Sequence, residues 1–139
     1  MANTIHVDIV SAEGQIFSGE ATRLFVPGSQ GELGIYPRHA PLLTTLTAGE
    51  VRVQTESDEE QSFFVGGGAM EIQPHLVTVL ADTAVRAKDL DEAAALAAKQ
   101  RAEDAVRNRG DKVDIAEAQA ELIRALAQLR AIARLRKKR

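Results

Sequence analysis

The strongest constraint on the fold is a change of hydrophobic period near Ala87. Before it, Ile5, Val7 and Ile9 alternate with His6 and Asp8, Val51 and Val53 with Arg52 and Gln54, and Met70 and Ile72 with Glu71 and Gln73. A period of two marks a strand with one buried face. Phe63–Val65 and Leu76–Leu80 add short β-branched or aromatic runs. Turn chemistry separates them at Glu13-Gly14, Pro27-Gly28, Ala48-Gly49, Ser57-Asp58 and Pro74-His75. Many short strands at close spacing predict an antiparallel β-sandwich or barrel over about residues 1–86. No long helical pattern interrupts them, which disfavours a parallel α/β sheet.

After Ala87 the pattern becomes helical. Asp89-Leu90-Asp91-Glu92 places an acid at the predicted N-cap and a glutamate three residues on, a capping-box-like start. The alanine-rich run Ala93–Arg107 has high helix propensity. Asn108-Arg109-Gly110 reads as the stop, and Asp114-Ile115-Ala116-Glu117 repeats the start signal. Leu122, Leu126, Leu129 and Ala133 then fall on one predicted stripe. The expected fold is mainly β plus α: an N-terminal antiparallel β-sandwich (1–86), then a C-terminal two-helix antiparallel hairpin (87–139). Alanine buries little apolar area, at roughly 25 cal/mol per Å². The hairpin is therefore expected to be weakly held and able to exchange between two positions.

Charge follows the same division. The net charge is −3, but residues 1–89 hold five basic and twelve acidic side chains, and residues 90–139 twelve basic and eight acidic. Such a split points to two modules with different partners. There is no cysteine, hence no disulfide and no thiol nucleophile, which fits a reducing cytoplasm. No signal peptide is expected, and no window approaches the roughly 20 apolar residues of a membrane helix. His6, His39 and His75 lack ligand spacing, so no metal site is expected. Gly66-Gly67-Gly68 is not followed by a P-loop lysine, and close backbone packing explains it better. Ser11 with scattered histidines and acids has no triad spacing. The acidic first module and the scarcity of aromatics argue against nucleic acid, and no convergent acid/base set argues for an enzyme.

Residues 27–43 read PGSQGELGIYPRHAPLL. Gly28, Gly31 and Gly34 permit tight turns, and Pro37 and Pro41 stiffen the segment after them. Prolines this close suit an edge strand or loop, and with Leu33, Ile35 and Tyr36 they predict a rigid docking surface. The run GELGIYPRHAPLL is very similar to the GELGIYPGHAPLL-type segment of the epsilon subunits of F-type (proton-translocating) ATP synthases. Val65–Ile72 resembles their SGG-x-x-E-V stretch, Val77–Ala84 their VTVLADTA segment, Asp89–Ala93 the start of their helical domain, and Ile9–Glu13 their opening. The matches are collinear over nearly the whole chain.

The resemblance implies a non-catalytic rotor subunit of the central stalk, without a cofactor, peripheral on the cytoplasmic face of the cell membrane and attached only through the complex. It implies that the Gly31-Glu32 turn faces the c-subunit ring, and that Ser11 and the strand from His39 to Thr45 face the gamma subunit. The hairpin would be an arm that reaches the catalytic alpha/beta subunits and stops ATP hydrolysis. Arg130, Arg134, Arg136 and Lys137 would meet acidic side chains there, each exposed pair contributing about 0–1 kcal/mol and weakening with salt. Some family members bind ATP on the hairpin through Leu/Ile-Asp-x-x-Arg-Ala and two arginines of the second helix. Here Leu90 and Asp91 remain, but Ala94 stands at the arginine position, since the run reads Leu90-Asp91-Glu92-Ala93-Ala94. Arg124 fits one second-helix site and Gln128 stands at the other. Loss of two guanidinium groups removes the bidentate phosphate donors, so weak or absent ATP binding is expected.

Overall fold

The computed structural model describes residues 3–108 and 112–137. The chain divides into two compact units, Met1–Arg86 and Ala87–Arg139.

The first unit holds β1 (Ile5–Ser11), β2 (Gly14–Ala21), β3 (Arg23–Gly28), β4 (Gly31–Ile35), β5 (Leu42–Gln54), β6 (Glu60–Gln73), β7 (Leu76–Ala81) and β8 (Ala84–Arg86). They hydrogen-bond in the order β2-β1-β7-β6-β5-β3-β4, with β8 added to β6. The long strand β6 serves two neighbours along one edge, β8 at Phe63–Val65 and β7 at Gly68–Gln73. The sheet folds over into a sandwich. The alternating apolar residues of the sequence fill it: Ile5, Val7, Ile9, Val51, Val53, Met70, Ile72, Val77 and Val79 are all buried in one core.

Among the described residues all strand pairs are antiparallel except one. β1 runs parallel to β7, from His6 against Leu76 to Val10 against Leu80. Turn signals specify only the pairing of consecutive strands, so the meeting of the first and seventh strands is not written in any of them. A parallel neighbour needs a long crossover, and β2–β6 supply it.

One expected turn is displaced and another is absent. β3 continues through Pro27-Gly28, and the reversal comes at Ser29-Gln30. β5 runs unbroken through Ala48-Gly49. Gly49 serves close approach instead, since a Cβ there would lie 2.7 Å from Pro27 Cβ. In β6 the glycine run bends the strand: Gly67 and Gly68 have φ of 108° and 139°. A Cβ on Gly68 would stand 2.1 Å from the Leu80 carbonyl oxygen.

The second unit opens with a 3₁₀ turn (Ala87–Asp89), followed by α1 (Glu92–Asn108) and α2 (Lys112–Lys137). The N-cap is Asp91 and not Asp89, which belongs to the 3₁₀ turn. Asp91 Oδ1 accepts the Ala94 amide at 3.2 Å, and the Asp91 carbonyl takes the Ala95 amide. Arg109 and Gly110 of the expected stop lie outside the described residues. α2 begins at Lys112, ahead of the start expected at Asp114. The predicted stripe of α2 is displaced. Leu122 and Leu129 are half-buried, but Leu126 and Ala133 are exposed, while Ala118 and Ala125 are buried. Ala95 and Ala102 repeat that seven-residue spacing on α1. Small residues take the inward positions because they allow close helix approach, and the larger Leu126 and Ile123 are left facing out. Arg136 donates through both guanidinium nitrogens to Glu92, which fixes the two helices as antiparallel. Among the described residues no helix is long and apolar enough to cross a membrane.

Candidate functional site

Strand alternation gives the sandwich an outer face opposite its core. Across β5, β6, β7 and β1, one row there reads Thr45, Ala69, Leu80, Val10 and the next Leu43, Glu71, Thr78, Asp8. Three interstrand steps of about 4.8 Å make each row roughly 14 Å long. Leu43 is 72% exposed and Leu80 53% exposed, large values for two leucines on the same sheet face, with β6 between their strands. β2 extends the face with a polar rim. The His6 ring lies between two carboxylates, Nδ1 3.0 Å from Glu20 Oε2 and Nε2 3.0 Å from Asp8 Oδ1, and the Ser18 hydroxyl donates to Asp8 Oδ1 at 2.7 Å. This network ties β1 to β2 and hands the serine hydrogen to a carboxylate.

The residues expected to face gamma lie around this surface. Thr45 is in the first row, its hydroxyl donating to Ser29 Oγ at 2.8 Å. Ser11 is one position past Val10 and serves its own turn, accepting the Glu13 amide at 3.3 Å and donating to the Gly14 carbonyl. His39 is not in a strand, because β5 starts at Leu42. It belongs to the loop 36–41, where Nδ1–H donates to the Ala40 carbonyl at 2.7 Å. That loop stands on the β6–β7 turn through the Arg38 amide, which donates to Pro74 O at 3.1 Å. Leu33 and Ile35 are not part of an exposed loop as expected. Ile35 is buried and Leu33 packs on the core, while Tyr36 is 52% exposed.

Gly31 and Glu32 are the first residues of the edge strand β4 and not the turn itself. Of the three glycines around this turn, Gly31 has positive φ, 131°. Gly28 is needed for space, since a Cβ would lie 2.7 Å from the Gly31 oxygen. Glu32 accepts from Arg52 at 2.9 Å, and the Arg52 guanidinium lies 4.6 Å from the Phe25 ring centre. An exposed carboxylate is thereby held by a half-buried arginine, which fixes its direction at the sheet edge.

In the hairpin the degenerate nucleotide motif is dispersed. Leu90 borders a pocket of about 190 Å³ with Ala87, Lys88, Ile132, Leu135 and Arg136. Asp91 is spent on capping. Arg124 and Gln128 precede Arg136 by twelve and eight residues, so at 1.5 Å per residue they lie roughly 18 and 12 Å along α2 from the helix end that meets Glu92. The four arm cations differ. Arg130 and Lys137 are exposed, Arg134 is half-buried with a partner, and Arg136 is held by Glu92.

Leu43 lies within the stretch His39 to Thr45 expected to face gamma, whereas sequence reasoning missed Leu80, Arg52 and Glu92. For Leu80 the signal existed: it alternates with the buried Val77 and Val79 and so must face out. Arg52 and Glu92 act through partners far along the chain, which no local pattern reports.

Residues 4–87 match the family described as ATP synthase, Delta/Epsilon chain, beta-sandwich domain, and residues 88–136 match ATP synthase, Delta/Epsilon chain, long alpha-helix domain. The ATP synthase epsilon chain of Nitrosococcus oceani is 63% identical over 138 residues, 99% of either chain. That of Alkalilimnicola ehrlichii is 60% identical over 136 residues, 98% of this chain and 97% of the relative. In fold the chain is similar to one in the cryo-EM structure of the Euglena gracilis mitochondrial ATP synthase, OSCP/F1/c-ring in rotational state 1. The TM-score is 0.85 at 17% identity, over 94% of this chain and 82% of that one. With both of its units matched in order, together over residues 4–136, this chain belongs to the delta/epsilon chain family of ATP synthase.

Proposed function

We propose that this chain serves as the epsilon subunit of an F-type ATP synthase, a non-catalytic part of the central stalk. In this reading the gamma subunit covers the outer face of the sandwich at Val10, Leu43, Thr45 and Leu80, bordered by Ser11 and by His39 of the loop 36–41. The Gly31–Glu32 edge rests on the c-subunit ring. The chain then sits on the cytoplasmic face of the membrane through the complex alone.

The observation that supports docking is the exposed apolar pair Leu43 and Leu80 on a regular sheet face. Such a face is stabilised when a partner removes it from water, at roughly 25 cal/mol per Å² of apolar area. The hairpin is the brake. Its α2 ends in Arg134, Arg136 and Lys137, and α2 also exposes Ile123 and Leu126 to a further partner, the catalytic subunits.

ATP hydrolysis by the purified catalytic head tests the brake, with the chain added whole or cut after Lys88. Truncation is expected to raise the rate, and high salt to mimic it in part. Equal rates would leave a coupling element without a brake.

A further inference from the structure

We propose that Arg38 is a charge-reading residue of the docking loop, poised to meet a carboxylate of the subunit that covers the outer face. This rests on the docking reading above and adds to it a residue and the chemistry of its counterpart.

Three observations converge on Arg38. Its backbone is left-handed, with φ of 67°. The other described non-glycine residue with positive φ is Asp58, in a hairpin turn where aspartate tolerates that conformation well. Arginine has no such aptitude, and its Cβ crowds the following carbonyl. A long charged side chain kept where glycine would be strain-free marks a position held for what the side chain does.

The guanidinium is also the unengaged one of its unit. Arg23 donates to Gln54, Arg52 to Glu32, and Arg86 to the Ile16 carbonyl and Gln61. The exposed Arg38 side chain makes no hydrogen bond or ion pair among the described residues; its amide, bonded to Pro74 O, fixes the backbone that carries it.

The third observation is position. The loop is braced by Pro37 and Pro41 and by the His39 amide donating to Tyr36 O at 3.2 Å. It leads directly into β5, whose Leu43 belongs to the outer face. The sandwich around it is acidic, twelve acids against five bases up to residue 89. A partner suited to that surface would be basic overall. A single cation at its margin therefore selects a partner with an acid at one defined point, which fixes orientation more than it adds affinity.

Binding of the full chain to recombinant gamma subunit, at about 50 and 300 mM salt, tests this with R38K, R38Q, R38G and, as a control for the face itself, L43E. R38Q and R38G are expected to bind about three- to tenfold more weakly at low salt, with the difference from the parent shrinking to about twofold or less at high salt, and R38K within about twofold of the parent throughout. R38G is expected to melt at a higher temperature than R38Q, because it alone relieves the backbone. Parental affinity and salt slope in R38Q, with L43E defective, would overturn the role of Arg38 alone. Parental binding by both would overturn the docking face as well.

Discussion

Gly68→Ala tests the account of the bent strand most severely. The added methyl would lie 2.1 Å from the Leu80 carbonyl oxygen and 3.0 Å from Ala81 Cα, both backbone atoms that no side-chain rotation can move. β7 would have to retreat by about 1 Å. That stretches the Asp82 amide bond to Gly67 O, now 2.9 Å, past hydrogen-bonding range, a loss of about 0.5–1.5 kcal/mol. Overpacking adds about 1–3 kcal/mol. The backbone at φ 139° adds about 1–3 kcal/mol more for any residue with a Cβ. The sum is about 2.5–7.5 kcal/mol, a large part of the roughly 5–15 kcal/mol that holds a small domain. Gly31→Ala is the matched control. Its φ is 131°, and no heavy atom lies within 4 Å of the new Cβ, so only the backbone contribution applies. Urea titrations followed by the methyl signals of Val77 and Val79 would measure both. With a slope of about 1–3 kcal/mol per molar, the two midpoints should differ by more than about 0.5 M. Midpoints within about 0.5 M of one another would refute the reasoning, because the contact with Leu80 would then carry no cost.

Other consequences are simpler. Removing the N-cap with Asp91→Ala should cost the hairpin about 1 kcal/mol, seen as a lower melting temperature at the helical circular-dichroism band, with the sandwich signals unmoved. Glu92→Gln should lower hairpin stability by less than about 1 kcal/mol at low salt and by nothing at high salt, since the pair with Arg136 is exposed; a salt-independent loss would contradict an electrostatic clasp. Leu80→Glu should change folding by less than about 0.5 kcal/mol and yet release the chain from gamma in a pull-down, whereas retained binding would exclude Leu80 from the interface.

The strands of the sandwich were largely legible. Ile5, Val7, Val51, Met70 and Val79 alternate and point inward as alternation requires. What was not legible lies in long-range contacts. Ala48-Gly49 resembles a turn on local chemistry, but the glycine is there because Pro27 crosses it. Leu126 was assigned inward on spacing alone, while the seam runs through alanines, whose small size is a weak periodic signal. The degenerate nucleotide motif could be read in sequence, but not that Asp91 is a cap and that Arg136 ends beside Glu92. The family signature marked the loop 36–41, and the left-handed turn at Arg38 could only be seen in three dimensions.

The single parallel pair also governs how the chain comes into being. Val7 finds Val77 across seventy residues, and closing a loop of that length costs about 4 kcal/mol of chain entropy beyond a constant. On the ribosome, at about 5–20 residues per second, β7 follows β1 by several seconds at the least. During that interval one edge of the nascent first strand is open, with Ile5, Val7 and Ile9 still without a core. The helical hairpin, made last and from contacts near in sequence, has no comparable wait. The first strand is therefore the one that waits longest for its neighbour, until β7 is complete at Ala81.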